Sequence, residues 1–343
     1  MHRTVIAVDI AKRVFQLHWV DLTTGAIERL KLKRSDLLAW FARRESSVIA
    51  MEACGGAHEW GRQFERQGHT VRLLPPKAVR PFVQRNKTDA ADAQAIWTAS
   101  QQPGFRFVPV KTEGQQEVLA LHRIRSQLLK MRIMQTNELR GLLYEFGIDL
   151  PEGHAALLKA WSQLMPGLHD RLPAALVDSL VEQRERVDVL QADITAIERR
   201  LAKHLKDSTA CRAIAEVPGV GLLTATAVVA TMGSPAAFEN ARQFAAWLGL
   251  TPRQRGTGGK VRQLGISKRG DGYLRTLLMH GARAAIVQAH ANQSWPWLEA
   301  LLQRRPYNVV VAAIANKMAR TLWAILARDQ AWKEGAWNRT QPA

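Results

Sequence analysis

The stretch Thr4-Val5-Ile6-Ala7-Val8-Asp9-Ile10 constrains the fold more than any other, because it is a run of apolar strand formers with one carboxylate set into it. Apolar toward both faces, it reads as a buried central strand, a place where an unpaired Asp9 is costly. A second run, Ser47-Val48-Ile49-Ala50-Met51-Glu52-Ala53, also closes on an acid and is followed by Gly55-Gly56. Two such strands predict an α/β sheet whose strand ends carry acids.

A third feature supplies two more carboxylates. In Asn86-Lys87-Thr88-Asp89-Ala90-Ala91-Asp92, Thr88 stands where a helix N-cap belongs and the alanines that follow favour helix. Asp89 and Asp92 then share one helical face. The spacing alone is common on surface helices. Close carboxylates repel, however, so a fold that gathers them has a reason, and a divalent cation is the commonest. Asp9, Glu52, Asp89 and Asp92 are therefore candidate ligands of one metal site. An oxygen-only donor set suits Mg²⁺ or Mn²⁺ better than zinc.

The order of elements places these acids. Residues 4–10, 14–20 and 26–32 read as strands, with Thr23-Thr24-Gly25 as a hairpin turn. Ser35 is expected to cap a helix through Arg44, and a fourth strand ends at Glu52. A helix from about Ala57 to Gln67 stops at Gly68, and Val71 to Leu74 form a fifth strand. By analogy of fold, this is an α/β domain of the RNase H type, in which acids from two strands and a later helix converge. Between Pro75 and Lys87, the basic residues Lys77, Arg80, Arg85 and Lys87 form either a solvated loop or a phosphate-gripping edge.

Beyond residue 110 the chain turns helical. The pattern from Glu113 to about Phe146 is basic, and Pro151, Gly153, Pro166 and Gly167 mark an irregular connection. A long helix from about Pro173 to Leu205 repeats Val187, Leu190, Ile194, Ile197 and Leu201 at heptad spacing, which fits an intramolecular helical hairpin or a self-association coiled coil. Ile214 to Gly221, with Thr224 to Val229, resembles a helix–hairpin–helix, or else a plain αα-turn. In the former, Gly219 and Gly221 let the turn approach a phosphate. Seven basic residues and six glycines then fall between Thr251 and Arg275 against one acid. This Gly-rich basic loop offers Arg253, Arg255, Lys260, Arg262, Lys268 and Arg269 to phosphates, with the hydroxyls of Thr257 and Ser267 among them. The apolar tail from Leu274 to Leu326 is helical, with Trp295, Trp297 and Trp323 as core.

The net charge of +18 over 343 residues favours a polyanionic partner, nucleic acid before a membrane surface. Cys54 and Cys211 are far apart in sequence, which argues against a disulfide scaffold or zinc finger and fits a reducing cytoplasm. No signal peptide is expected, since the first residues lead straight into a strand, and runs such as Val309 to Ala315 are too short to span a bilayer. A soluble, intracellular protein is the expectation.

These residues resemble a known family. Asp9, Glu52, the Lys87-Thr88-Asp89-Ala90-Ala91-Asp92 block and the Gly-Leu-Thr-Pro-Arg…Thr-Gly-Gly-Lys…Ile-Ser-Lys-Arg-Gly-Asp block are similar to those of the DEDD insertion-sequence transposases, the bridge-RNA-guided (seeker-RNA-guided) recombinases of bacterial mobile elements. The resemblance implies a RuvC-like domain at 1–110 whose four acids bind Mg²⁺ and a helical linker and coiled coil at 111–207. It further implies a transposase domain at 208–330 and a tail at 331–343. It implies homodimers and homotetramers with active sites shared between subunits, donor and target double-stranded DNA, and an element-encoded non-coding guide RNA. It also implies a serine nucleophile, and here the chain departs: Gly256-Thr257 stands where the family's serine precedes the glycine. Thr257, then Ser267, is the candidate hydroxyl, unless the copy is inactive. Two rivals remain from the residues alone: a metal-dependent nuclease of the junction-resolvase kind, and a noncatalytic nucleic-acid binder.

Overall fold

The computed structural model describes residues 3–83, 88–257, 260–292, 295–333 and 335–337. The chain divides into two compact units, Met1–Gln116 with Met232–Glu239, and Glu117–Thr231 with Asn240–Ala343.

The first unit is built on β1 (Val5–Asp9), β2 (Val14–Val20), β3 (Ile27–Lys33), α1 (Leu37–Ala42), β4 (Val48–Glu52), α2 (Ala57–Arg66), β5 (Thr70–Leu74), α3 (Pro76–Val79) and α4 (Asp89–Ser100). Its five-stranded sheet has the order β3-β2-β1-β4-β5. The meander β1-β2-β3 is antiparallel, whereas β4 and β5 run parallel to β1. Asp21 Oδ1 accepts the backbone N–H groups of Thr23 and Thr24 at 2.8 and 2.9 Å, which fixes the predicted turn. The five expected strands are present. Ser35 does not cap α1: Asp36 occupies the cap position, and the Ser35 hydroxyl donates to its carboxylate instead.

Strand alternation sorts the core into two layers. Ile6, Val8, Ile49 and Met51 point to one face and pack with Phe15, Leu17, Phe41, Trp60 and Phe64. Ala7, Ala50 and Leu74 point to the other, against Ala95, Ile96 and Ala99 of α4. Small side chains on both surfaces let α4 lie close to the sheet.

The second unit continues from α5 (Glu113–Glu145) through α6 (His154–Leu164), α7 (Leu168–Arg171), α8 (Ala174–Asp207), α9 (Thr209–Ala215), α10 (Leu222–Met232) and α11 (Ala241–Trp247). A ribbon, β6 (Pro252–Thr257) and β7 (Lys260–Ile266), precedes α12 (Gly272–Ala291), α13 (Pro296–Arg304) and α14 (Tyr307–Arg328). The predicted irregular connection holds two helices, because His154-Ala-Ala-Leu-Leu-Lys-Ala-Trp161 is rich in helix formers and buries Leu157 and Trp161. α5 and α8 run antiparallel, joined by Arg125 Nε to Glu198 (2.7 Å), Arg132 to Gln191 and Gln135 to Gln183. Val187, Ile194, Ile197 and Leu201 are buried within this unit, so the heptad seam packs as an intramolecular helical hairpin. α14 is long and apolar enough to cross a membrane by length and composition, longer than the sequence run suggested. Its Val310, Val311, Ile314, Met318 and Leu322 are buried in the core. Of the three tryptophans expected in the core, Trp295 is buried, and Trp297 and Trp323 are half-buried.

A polar chain ties α5, α10 and α12 together. The Thr226 hydroxyl donates to the Leu222 carbonyl at 2.7 Å, so its oxygen accepts the Nε2–H of His122 at 2.9 Å. That leaves His122 Nδ1 to accept the Tyr273 hydroxyl, also at 2.9 Å. The chain requires a neutral imidazole. Burial, then the Arg125 and His204 charges, lowers the His122 pKa from 6.5 to about 4. The unfolded chain therefore takes up this proton as pH falls through 6.5, whereas the folded chain resists until about 4. Stability from this group is fully present above 6.5 and declines between 6.5 and 4. Urea midpoints measured from pH 7 to 4.5 should fall for the wild type by an amount worth about 2–3 kcal/mol at this residue. His122→Gln should flatten the slope, the remainder belonging to groups such as His58, also held at about 4.

Candidate catalytic site

The parallel pairing of β1 with β4 sets Val8 opposite Met51, which makes Asp9 and Glu52 the next neighbours along the ladder. By alternation both side chains leave the sheet on the face of Ala7 and Ala50, the face covered by α4. Cys54 reports on their nearness: partial burial, then the Glu52 and Asp9 carboxylates, pushes its thiol pKa up.

The direction of α4 determines where the other two acids lie. Trp97 Nε1 donates to the Val5 carbonyl at 3.1 Å, and Trp97 and Gln101 line a groove with Arg3, Val5 and Val20. The last turn of α4 thus lies at the start of β1, and its first turn, carrying Asp89 and Asp92, is directed to the end that carries Asp9. From Trp97 back to Asp89 the helix rises about 12 Å, and from Val5 to Asp9 the strand rises about 13 Å. The four acids therefore share one end and one face of the sheet. The hydroxyl of Thr88 accepts the Ala91 N–H at 3.3 Å, the predicted cap. Among the described residues, no three His, Cys, Asp or Glu side chains come close enough together to hold a metal ion. Asp9 and Glu52 are brought side by side; Asp89 and Asp92 face the same end without closing on them. The donor chemistry remains all-carboxylate and suits Mg²⁺ or Mn²⁺.

β5 runs parallel to β4, so α3 begins at this same sheet edge, and its Lys77, with Arg80 just after, is exposed there. Arg85 and Lys87 lie outside the described residues.

The second group of candidates lies on the ribbon. What the sequence presents as a Gly-rich loop is a two-stranded antiparallel sheet in which Thr257 pairs with Lys260. Gly258-Gly259 between two short runs was the available signal, since such a dipeptide favours a tight hairpin. Arg253, Arg255 and Arg262 are exposed along it, and Lys260 near its end. A ribbon with no core beneath it is marginal, so its base must hold it. Ser267 N–H donates to the Thr251 carbonyl (2.8 Å), Lys268 N–H to Gly249 (3.1 Å), and Arg275 to the Leu248 carbonyl (3.0 Å). A Cβ on Gly270 would sit 1.8 Å from the Trp247 carbonyl oxygen, so only glycine fits. Asp271 caps α12 through the Leu274 N–H at 2.9 Å. The Gly-Leu-Thr-Pro and Ser-Lys-Arg-Gly-Asp blocks are thus the two legs of one base, with Lys268 and Arg269 exposed beside it. Thr257 at the tip and Ser267 at the base stand about 20 Å apart along the ribbon.

At the α9–α10 turn the glycines differ. Gly219, at φ +80°, is pressed on α12: a Cβ there would lie 2.1 Å from the Gly281 carbonyl oxygen. Its freedom serves packing on that side, while Gly219 and Gly221 together line an open groove. Gly221 has open space around it.

Comparison with known proteins now bears on both groups. A family profile described as "Transposase", of the DEDD type found in IS110, matches residues 6–148, and one described as "Transposase IS116/IS110/IS902 family" matches residues 211–296. The chain is 45% identical to a "Probable family 20 transposase" of Pseudomonas aeruginosa, over 98% of this chain and 100% of that protein. The chain belongs to the IS110 family of DEDD transposases. It is also 39% identical to the "Transposase for insertion sequence element IS1111A" of Coxiella burnetii, over 97% of this chain and 92% of that one. The "Transposase for insertion sequence element IS1328" of Yersinia enterocolitica is 37% identical, over 94% and 96%. As an insertion-sequence transposase it is a DNA-cleaving and DNA-recombining enzyme. The first profile covers all four acids, and the second covers the α9–α10 turn and the ribbon.

The glycine contacts yield a test. Gly281→Ala should lower the denaturation midpoint by an amount worth about 1–3 kcal/mol, the cost of overpacking. Gly221→Ala, placed in open space, should leave it within about 0.5 kcal/mol.

Proposed function

We propose that this transposase is RNA-guided, and that its first unit is an RNase H-type, RuvC-like catalytic domain. The observation that carries the reading is the common end and face shared by Asp9, Glu52, Asp89 and Asp92 on a β3-β2-β1-β4-β5 sheet. The domain boundaries proposed are 1–110, 111–207, 208–330 and 331–343, with a helix–hairpin–helix-like turn opening the third. Asp9, Glu52, Asp89 and Asp92 would hold Mg²⁺, or Mn²⁺ in its place, which would supply Lewis-acid stabilisation of charge on the oxygens of the scissile phosphate.

The remaining roles belong to side chains of this chain. Lys77, Arg80, Arg85 and Lys87 grip DNA phosphates, and Gly219 and Gly221 let a phosphate approach the α9–α10 turn. Arg253, Arg255, Lys260, Arg262, Lys268 and Arg269 hold DNA or guide RNA along the ribbon. The Thr257 hydroxyl, with Ser267 as alternative, attacks phosphorus as it loses its proton, and a deoxyribose oxygen leaves with one. The protein–DNA ester retains the phosphodiester's energy, so a second deoxyribose hydroxyl can displace the protein and rejoin strands without ATP. Homodimers or homotetramers bring the acids of one subunit to the ribbon of another, working on donor and target DNA in the bacterial cytoplasm. Sequence choice falls to the guide RNA, because phosphate contacts position without specifying.

Asp9→Asn should cut DNA cleavage by at least about 10²–10³-fold, with nucleic-acid binding held within about twofold. Unchanged cleavage would refute the metal assignment. Mg²⁺ should raise the Tm of the wild type and not of Asp9→Asn/Asp89→Asn, by the mass action of an ion that binds only the folded state. On a nicked trapping substrate, Thr257→Ala should abolish the covalent protein–DNA adduct and Ser267→Ala should retain it. The reverse pattern moves the nucleophile to the ribbon base, and an adduct-free wild type points to hydrolysis by a nuclease.

A further inference from the structure

α14 carries two faces with opposite demands. One fills the core of the second unit; the other lines a groove of about 600 Å³. That volume falls in the range of about 300–1,000 Å³ that accommodates whole ligands rather than single ions. Lys317, Arg320, Arg328, Lys333, Trp332 and Trp337 supply its walls, and no acidic side chain is among its described lining. Apart from Ala241, its lining lies beyond the stretches matched by the family profiles, which end at residues 148 and 296.

Lys317 and Arg320 stand three residues apart and so share this face, both only partly exposed. Like charges at that spacing repel, and burial adds to the cost. Desolvation, then the Arg320 charge, pushes the Lys317 pKa down. The Trp297 ring, 4.1 Å from Lys317 Nζ, offsets part of this. Arg320 Nε is buried and meets no acceptor. Among the described residues no carboxylate pairs with either cation. Two half-buried cations without a counter-charge are poor material for stability and good material for binding an anion.

The aromatic wall identifies which anion. Trp337 is buried and fixed, its Nε1 donating to Thr321 Oγ1 at 3.1 Å. It holds Trp332 edge-on at 5.4 Å, and Trp332 is half-buried, with part of its surface left to the groove. Arg328 and Lys333 are exposed nearby. Cations beside an available indole suit a phosphate with an unstacked base attached, whereas a duplex keeps its bases stacked internally. We propose that this groove binds a single-stranded polynucleotide, with a phosphate at Lys317 and Arg320 and a base against Trp332. The inference rests on nucleic acid being the partner and on neither the metal nor the nucleophile.

Fluorescence anisotropy with the full chain in EDTA tests it, using labelled 15-nucleotide single-stranded RNA, single-stranded DNA and a 15-base-pair duplex. Working in EDTA keeps the outcome independent of the acid site. Lys317→Gln/Arg320→Gln should weaken single-strand binding about tenfold and reduce the slope of log K against log salt by about 0.7, the value for one single-strand phosphate. Trp332→Ala should weaken binding with the slope unchanged, and Lys317→Arg should keep wild-type affinity. Duplex binding should stay within about twofold. A loss confined to RNA, or shared by RNA and DNA strands, supports the proposal and names the source. Unchanged single-strand affinity overturns it, as does an equal loss for duplex. An altered oligomer size with strand binding intact also overturns it, by assigning the cations to a carboxylate of a second copy. Should the double variant fail to fold, Trp332→Ala alone decides.

Discussion

The pairing of β1 with β4 is the constraint on which the first unit depends. With Val8 opposite Met51, both strands are in phase, so their large side chains enter one layer while Ala7, Asp9, Ala50 and Glu52 face the other. A slip of one residue would drive a carboxylate into the layer of Phe15, Trp60 and Phe64. The apolar core and the acidic edge are therefore products of a single register. The close seat of α4 depends on the same alternation, because alanines leave room for the helix whose first turn carries the other acids.

The second unit solves a different problem. It must keep long helices in place while leaving a basic surface open. The α5–α8 pair does so with a buried seam and a row of side-chain bonds across it, and the Gly219–Gly281 approach locks α10's leading turn onto α12 at backbone distance. His122, Thr226 and Tyr273 add a neutral hydrogen-bonded chain that costs little desolvation because every buried donor in it has an acceptor.

Much of this was legible in the residues. The apolar runs around Asp9 and Glu52 announce buried strands, and Thr88 announces the start of α4, because each is a local signal. The α6 helix and the ribbon were harder to read, since glycine and proline flanking a segment obscure what lies between. At Gly219 the sequence context shows that close approach is allowed, and the three-dimensional neighbours show that the Gly281 backbone is one group that makes it. Lys317 and Arg320 drew no notice within an apolar helical tail, because their want of a counter-charge among the described residues is a property of three-dimensional neighbours. The grouping of acids at one sheet end followed from element order, whereas their mutual spacing depends on side-chain positions no pattern encodes.

The ribbon is fastened at its base, and its described side chains farther out, among them Arg253, Arg255, Lys260 and Arg262, are exposed. Folding energy is thus concentrated in Gly249, Gly270, Asp271 and Arg275, and little of it reaches the far end. Changes at the tip escape the quality control that destabilised proteins meet in a cell. A transposase of this build can therefore carry an altered ribbon on a sound scaffold, so that a loss of activity there is not a loss of fold.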